Sequence, residues 1–274
     1  MLSFCARPSP EVPVTASPKI HPTAVIEDGA QIGAGVTIGP YSIIGPHVTI
    51  GEECHIGPHV VISGHTTIGK RNRFFQFASI GAEPQDKKYR GEEAQLEIGN
   101  DNTIRESVTI NIGSGDGGGL TKIGNQNWIM AYCHIAHDCH VGSGVTMANG
   151  ATLAGHVHVG NHVTFAGFSG AHQFCRIGDF AFLGMYGGVT QDVPAYVMAS
   201  GQPPRPRGIN SEGLKRHQFS EVEIRNIKSA YRIIYREGLP RAEALVILED
   251  RLSDQPELKP MIDSIHASQR GLLR

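Results

Sequence analysis

Apolar residues return at every sixth position over most of this 274-residue chain. They run in phase from Ile20 through Ile26, Ile32, Ile38 and Ile44 to Ile80. They run again from Ile135 through Val141, Met147, Leu153, Val159, Phe165, Ala171, Ile177 and Leu183 to Val189. A helix repeats every 3.6 residues and a half-buried strand every 2, so a sustained period of six belongs to neither. It predicts a parallel β-helix of hexapeptide repeats, in which one residue per short strand points into a shared core. The residue after it is small at several steps (Ala136, Gly142, Gly160, Gly178, Gly184), as tight corners demand. Three hexads close a coil of 18 residues, and coils stack at the strand spacing of about 4.8 Å. One coil cannot bury its own apolar face; a stack can.

Departures from the period divide the chain. Residues 1–19 are rich in Pro and Ser, carry no period and read as a disordered leader. Residues 20–201 form the β-helical domain, interrupted by two loops thrown out from the coil at 82–97 and 112–122. Loops of that length on a regular scaffold usually carry function. Residues 202–274 form a small helical domain. Gln202-Pro-Pro-Arg-Pro-Arg-Gly208 reads as its linker, and Ser220 and Glu223 form a capping box before Ile224, Ile227, Tyr231 and Ile234 at helical spacing. Two further helices follow at about 241–252 and 256–270.

A net charge of −2 argues against nucleic acid as a partner. Five cysteines with no Cys-x-x-Cys pair support neither a disulfide framework nor a zinc knuckle, which points to the reducing cytoplasm. No apolar run reaches the roughly 18 residues of a membrane-spanning helix.

Coil arithmetic converts spacing into geometry. His137, Gly155 and Gln173 are separated by 18 residues each and stack in one column, and His156 lies above Asp138 in the next. An imidazole, an acid that can hold its tautomer, and a glycine N–H that can meet an oxyanion are the parts of a general-base acyl or proton transfer site. Neighbours on a strand point apart, so a contact between His137 and Asp138 requires a coil corner. Most of the 14 histidines read as solvated polar residues on coil exteriors. Two rival readings stand beside this one. His134 and His137 could hold a metal with help from a partner chain, as in a metal-dependent β-helical hydratase. A structural or ice-binding solenoid would show flat threonine ladders, whereas Thr37, Thr49, Thr67, Thr109, Thr146 and Thr164 are scattered over several columns.

The runs His134-Ile-Ala-His137-Asp138, Leu153-Ala-Gly-His156, His172-Gln-Phe-Cys175, Gln191-Asp-Val-Pro194 and Asn210-Ser-Glu-Gly-Leu-Lys-Arg216 resemble the UDP-N-acetylglucosamine O-acyltransferases of lipid A biosynthesis. So do Gln76-Phe-Ala-Ser-Ile-Gly81 and the loop Gln85-Asp86-x-Lys88-Tyr-x-Gly91, and the resemblance covers the chain from about residue 20 to its end. It implies a left-handed β-helix with a C-terminal helical domain, assembled as a homotrimer with sites between subunits. It implies His137 as general base, Asp138 as its orienting partner and the Gly155 N–H as oxyanion donor. Asp86, Lys88, His134, His156, His172, Gln173, Asn210, Glu212 and Arg216 match positions that bind the nucleotide sugar or position the acyl group. The donor would be acyl carrier protein loaded with a 3-hydroxyacyl group, with no metal and no cofactor. A related N-acyltransferase of the same pathway carries an extra N-terminal domain, for which hexads beginning at residue 20 leave no room. The same base would nonetheless serve a 3-amino sugar as well as a 3-hydroxyl.

Two positions depart from the family pattern. Asn111-Ile-Gly113 stands where a His-Arg-Gly run is frequent, and His217 follows Arg216 where a second Arg is frequent. The resemblance also makes Met185 the ruler at the floor of the acyl groove, where long-chain members have Gly. A Met there predicts an acyl chain of roughly ten carbons, on a C–C bond of ~1.5 Å. Lys70, Arg71, Arg73, Arg205 and Arg207 are candidates for docking the acidic carrier.

Overall fold

The computed structural model describes residues 16–274; most of the leader, with Cys5, lies outside the described residues. Its strands are mostly two residues long and pair in parallel into three sheets. The first sheet starts at Lys19–Ile20, the second at Val25–Ile26 and the third at Gln31–Ile32, and the chain visits them in rotation as a left-handed β-helix. The register is the 18-residue step: Ile20 pairs with Ile38, Ile26 with Ile44 and Ile32 with Ile50. The inward residue of each hexad makes the core, and Ile44, Ile56, Ile62, Ile80 and Ile135 are fully buried. Each such side chain contributes about 1.5–3 kcal/mol by leaving water. The corners carry left-handed backbone even without glycine, as at Tyr41, Glu53, His59, Asp138 and His156.

Both insertions leave the stack at the same corner, between the second and third sheets. The first follows Ser79–Ala82 and rejoins at Gln95–Ile98, so Ile68 pairs with Ile98. The second follows Thr109–Asn111 and rejoins at Leu120–Ile123 after a 3-10 turn at Gly115–Gly117. The next coil turns that same corner at residues 136–139. The loops are therefore stacked directly beneath His137 and Asp138.

The segment expected to be a linker is instead built into the stack. Arg205–Ile209 is a strand, antiparallel to Val197–Ser200, at the open end of the first sheet. That last strand has no further coil to pair with, and the returning chain satisfies its edge; proline is tolerated there because the new strand is itself an edge. Four helices follow: α1 (Ser211–Arg216), α2 (Glu221–Tyr235), α3 (Arg241–Asp250) and α4 (Lys259–His266). The Ser220–Glu223 capping box is formed at the start of α2. Asp192 ties this part to the coil, its carboxylate accepting from Ser268 Oγ and from the N–H groups of Gln269 and Arg270. No helix among the described residues is long and apolar enough to cross a membrane.

Candidate active site

The positive φ of Asp138, 59°, resolves the difficulty of two neighbouring residues meeting. Left-handed backbone at the corner turns the Asp138 side chain back to the one before it, and His137 Nδ1 lies 2.7 Å from Asp138 Oδ2. Asp138 is 3% exposed. Its carboxylate also accepts from the Ser114 N–H at 3.0 and 3.1 Å and from Ser114 Oγ at 2.6 Å. Its own N–H donates to Thr121 Oγ1 at 2.8 Å. A carboxylate so held is a fixed acceptor for a proton on His137 Nδ1, the tautomer in which Nε2 carries the lone pair.

Gly155 lies one coil on. A Cβ built there would come within 2.7 Å of His137 Cε1 and Nε2, so the imidazole sits directly over this glycine. Among the described residues the Gly155 N–H donates to no acceptor, whereas its carbonyl accepts from Phe174. A base and an unengaged N–H thus face the same space. Gly117, in the second loop, packs against the Asp138 carboxyl group so closely that any side chain there would collide with it.

His156 stands above Asp138, with Nδ1 3.9 Å from Oδ2, edge-on to His137 and stacked on Phe174 at 4.4 Å. Burial pushes its pKa below the ordinary histidine value, Asp138 opposing. Burial, followed by the charge of His137, pushes the His134 pKa down as well, and His134 Nδ1 bonds Thr109 Oγ1 at 2.7 Å. Both rings are therefore neutral at neutral pH and act as hydrogen-bonding groups. His137, Asp138 and His156 offer ligand atoms within 4.8 Å of one another, close enough for a metal ion. The acceptor lone pairs of Asp138 are already directed at Ser114 and His137, an arrangement suited to orienting an imidazole.

These residues open on a cleft of about 800 Å³ along the second sheet, lined by Gln85, Asp86, Lys88, His134, His137, Gly155, His172 and Gln173. A groove of similar volume, about 830 Å³, runs along the third sheet beside α4; it holds the Lys259–Asp263 ion pair, but among the described residues neither of its histidines, His140 and His158, bonds a carboxylate. The cleft brings together seven of the residues singled out by sequence, drawing Asp86 and Lys88 from the first loop. Asn111, at one of the positions departing from the family pattern, lines it too. Asp138 and His156, which flank His137, do not line it, and neither do Asn210, Glu212, Arg216 and Met185. Asn210 caps α1 and donates to the Phe180 carbonyl, and Met185 is 57% exposed at the corner between the first and second sheets. Among the docking candidates, Lys70 is paired with Glu52 at 2.8 Å and Arg71 with Asp101 at 2.7 Å. Ser114 and Thr121, which hold Asp138, carry no motif of their own; the break in the period at 112–122 is their sole trace in the sequence.

Two family models match the chain. One, described as UDP N-acetylglucosamine O-acyltransferase, domain 2, covers residues 192–273; the other, bacterial transferase hexapeptide (six repeats), covers residues 17–52 and 120–155. An acyl-(acyl-carrier-protein)–UDP-N-acetylglucosamine O-acyltransferase from Xylella fastidiosa is 54% identical over 256 residues, 93% of this chain and 97% of its own. Its counterpart from Xanthomonas campestris pv. campestris is 57% identical over 259 residues, 94% and 98% of the two chains. The solved UDP-N-acetylglucosamine O-acyltransferase of Moraxella catarrhalis superposes with a TM-score of 0.92 at 48% identity, covering 93% of this chain and 99% of that one.

Proposed function

The chain belongs to the UDP-N-acetylglucosamine O-acyltransferases, enzymes of the first step of lipid A biosynthesis, and we propose that it moves a 3-hydroxyacyl group of about ten carbons by His137 general-base catalysis. The donor is acyl carrier protein and the acceptor oxygen is the sugar 3-hydroxyl. His137 Nε2 takes the hydroxyl proton as the oxygen bonds to the thioester carbonyl carbon. The Gly155 N–H meets the charge that develops on the carbonyl oxygen. The C–S bond then breaks, and His137 returns the proton to the departing thiolate. Asp138 holds the ring throughout. The observation that carries this reading is the His137–Asp138 pair at 2.7 Å facing the unengaged N–H of Gly155.

Asp86, Lys88, His134, His172 and Gln173 bind the nucleotide sugar or the acyl group in the same chain's cleft, with His156 beside Asp138 at its edge. Asn210, Glu212 and Arg216, which lie off that cleft, serve the site of a neighbouring copy in a homotrimer, and Met185 closes the acyl groove between copies. Exposed Tyr132, Phe168 and Tyr186 along one corner, with Val25, Ile43 and Val61 on the second sheet, support an apolar contact of that kind. The enzyme works in the cytoplasm, a location supported by four buried cysteines that are all free thiols. The test is an assay of purified protein with UDP-N-acetylglucosamine, its 3-amino analogue and 3-hydroxyacyl carrier proteins of eight to sixteen carbons, alongside light scattering for the trimer. Transfer to the 3-amino sugar alone, or a best donor of fourteen carbons, would overturn the corresponding part of the reading.

A further inference from the structure

Away from the catalytic cleft, a cavity of about 360 Å³ lies where the Arg205–Ile209 strand meets α2 and the last residue. Four arginines line it: Arg205, Arg207, Arg236 and Arg274. No carboxylate side chain does, and among the described residues none of the four makes an ion pair. Tyr231 and Tyr235, one helical turn apart on α2, line the same cavity with ring centroids 4.9 Å apart. Both hydroxyl oxygens are buried, and neither has a hydrogen-bond partner among the described residues. The Arg236 guanidinium lies 5.9 Å over the Tyr231 ring. Burial, followed by the neighbouring Tyr231, raises the Tyr235 hydroxyl well above its ordinary value, with Arg274 opposing, so the hydroxyl remains a donor.

Four like charges gathered in one hollow repel one another, and a buried hydroxyl without a partner costs about 1–3 kcal/mol. A single ligand class relieves both. We propose that this cavity binds a phosphoryl group. A tetrahedral dianion accepts from several guanidinium forks at once and still has lone pairs for two phenol donors, whereas a carboxylate has one charge and two oxygens for the same set. The site also has a route to the chemistry, because the strand bearing Arg205 and Arg207 leads directly into Asn210 and α1.

The experiment is thermal unfolding and phosphorus-31 line broadening of the full-length trimer titrated with inorganic phosphate, against sodium chloride at matched ionic strength. Wild type should show saturable stabilisation, and Arg205→Gln with Arg207→Gln should weaken apparent phosphate affinity by about tenfold for each arginine removed. Tyr235→Phe supplies the second readout. Deleting an orphaned hydroxyl would leave the phosphate response intact if the cavity were idle, and should diminish it if the hydroxyl meets the anion. Holo-carrier protein displacing phosphate where apo-carrier protein does not identifies the source as the prosthetic-group phosphate. Displacement by neither identifies free phosphate. A response equal in wild type and all variants, one matched by chloride, or one abolished by UDP-N-acetylglucosamine and insensitive to the arginines, overturns the assignment.

Discussion

Replacing Gly155 with alanine separates the placement of the base from every other property of the site. The added Cβ would lie 2.7 Å from His137 Cε1 and Nε2, 0.7 Å short of the 3.4 Å at which ordinary contact begins. Backbone cannot yield there, because His156 N–H and the Gly155 carbonyl are tied into the coils below and above. The ring must move instead, and a displacement near 0.7 Å stretches the 2.7 Å bond to Asp138 to the edge of hydrogen bonding. A misplacement of about 1 Å at a reacting group costs roughly 10²-fold. The N–H of residue 155 is retained, and its backbone is not left-handed, so alanine adds no strain. We expect kcat to fall by about 10² in the carrier-protein assay, with the melting temperature within a few degrees of wild type and KM for the sugar nearly unchanged. A variant within about threefold of wild-type kcat would refute the placement of Nε2 over Gly155 as the reacting geometry.

The same geometry bears on three further measurements. Asp138→Asn keeps the left-handed corner, which Asn tolerates, but removes the fixed acceptor of the His137 proton; kcat in the same assay should drop by about 10²–10⁴ with little loss of secondary structure. Met185→Gly should shift the preferred donor from about ten carbons towards fourteen, since each methylene admitted is worth about 0.8 kcal/mol of burial; an unchanged profile across a donor panel removes Met185 from the groove. Burial, then the charges of Arg176 and His140, lowers His158 from 6.5 to about 4. The unfolded chain therefore takes up that proton first, and stability should fall as pH drops from 6.5 towards 4. His158→Gln should flatten the urea midpoint over that window, and an unaltered slope would assign acid sensitivity to other groups.

What could be read from sequence follows from what a lattice can carry. The six-residue period fixes which side chains point inward and, through the 18-residue coil, which residues share a column. That count alone places His137, Gly155 and Gln173 together. The count fails wherever the chain leaves the lattice. Ser114 sits 24 residues before Asp138, a separation with no meaning in coils of 18, because the loop between them has a shape of its own. The Pro-Arg-Pro-Arg segment misled for the converse reason: nothing in its composition reveals that an unpaired strand waits at Val197–Ser200. Asn210, Glu212 and Arg216 mark a third limit. Their motif is legible but their destination is not, since within one chain Asn210 caps α1 and Glu212 and Arg216 lie in it, away from the cleft. In the proposed trimer they would serve a neighbouring copy, whose position no spacing within one chain encodes. The His137–Asp138 contact lies at the boundary of these cases, since spacing shows that a corner is needed there while the turn of the side chain depends on one positive φ. That dependence explains why Asn rather than Ala is the informative replacement at 138. Alanine would remove the charge and strain the corner together, and a dead enzyme would then report on either one.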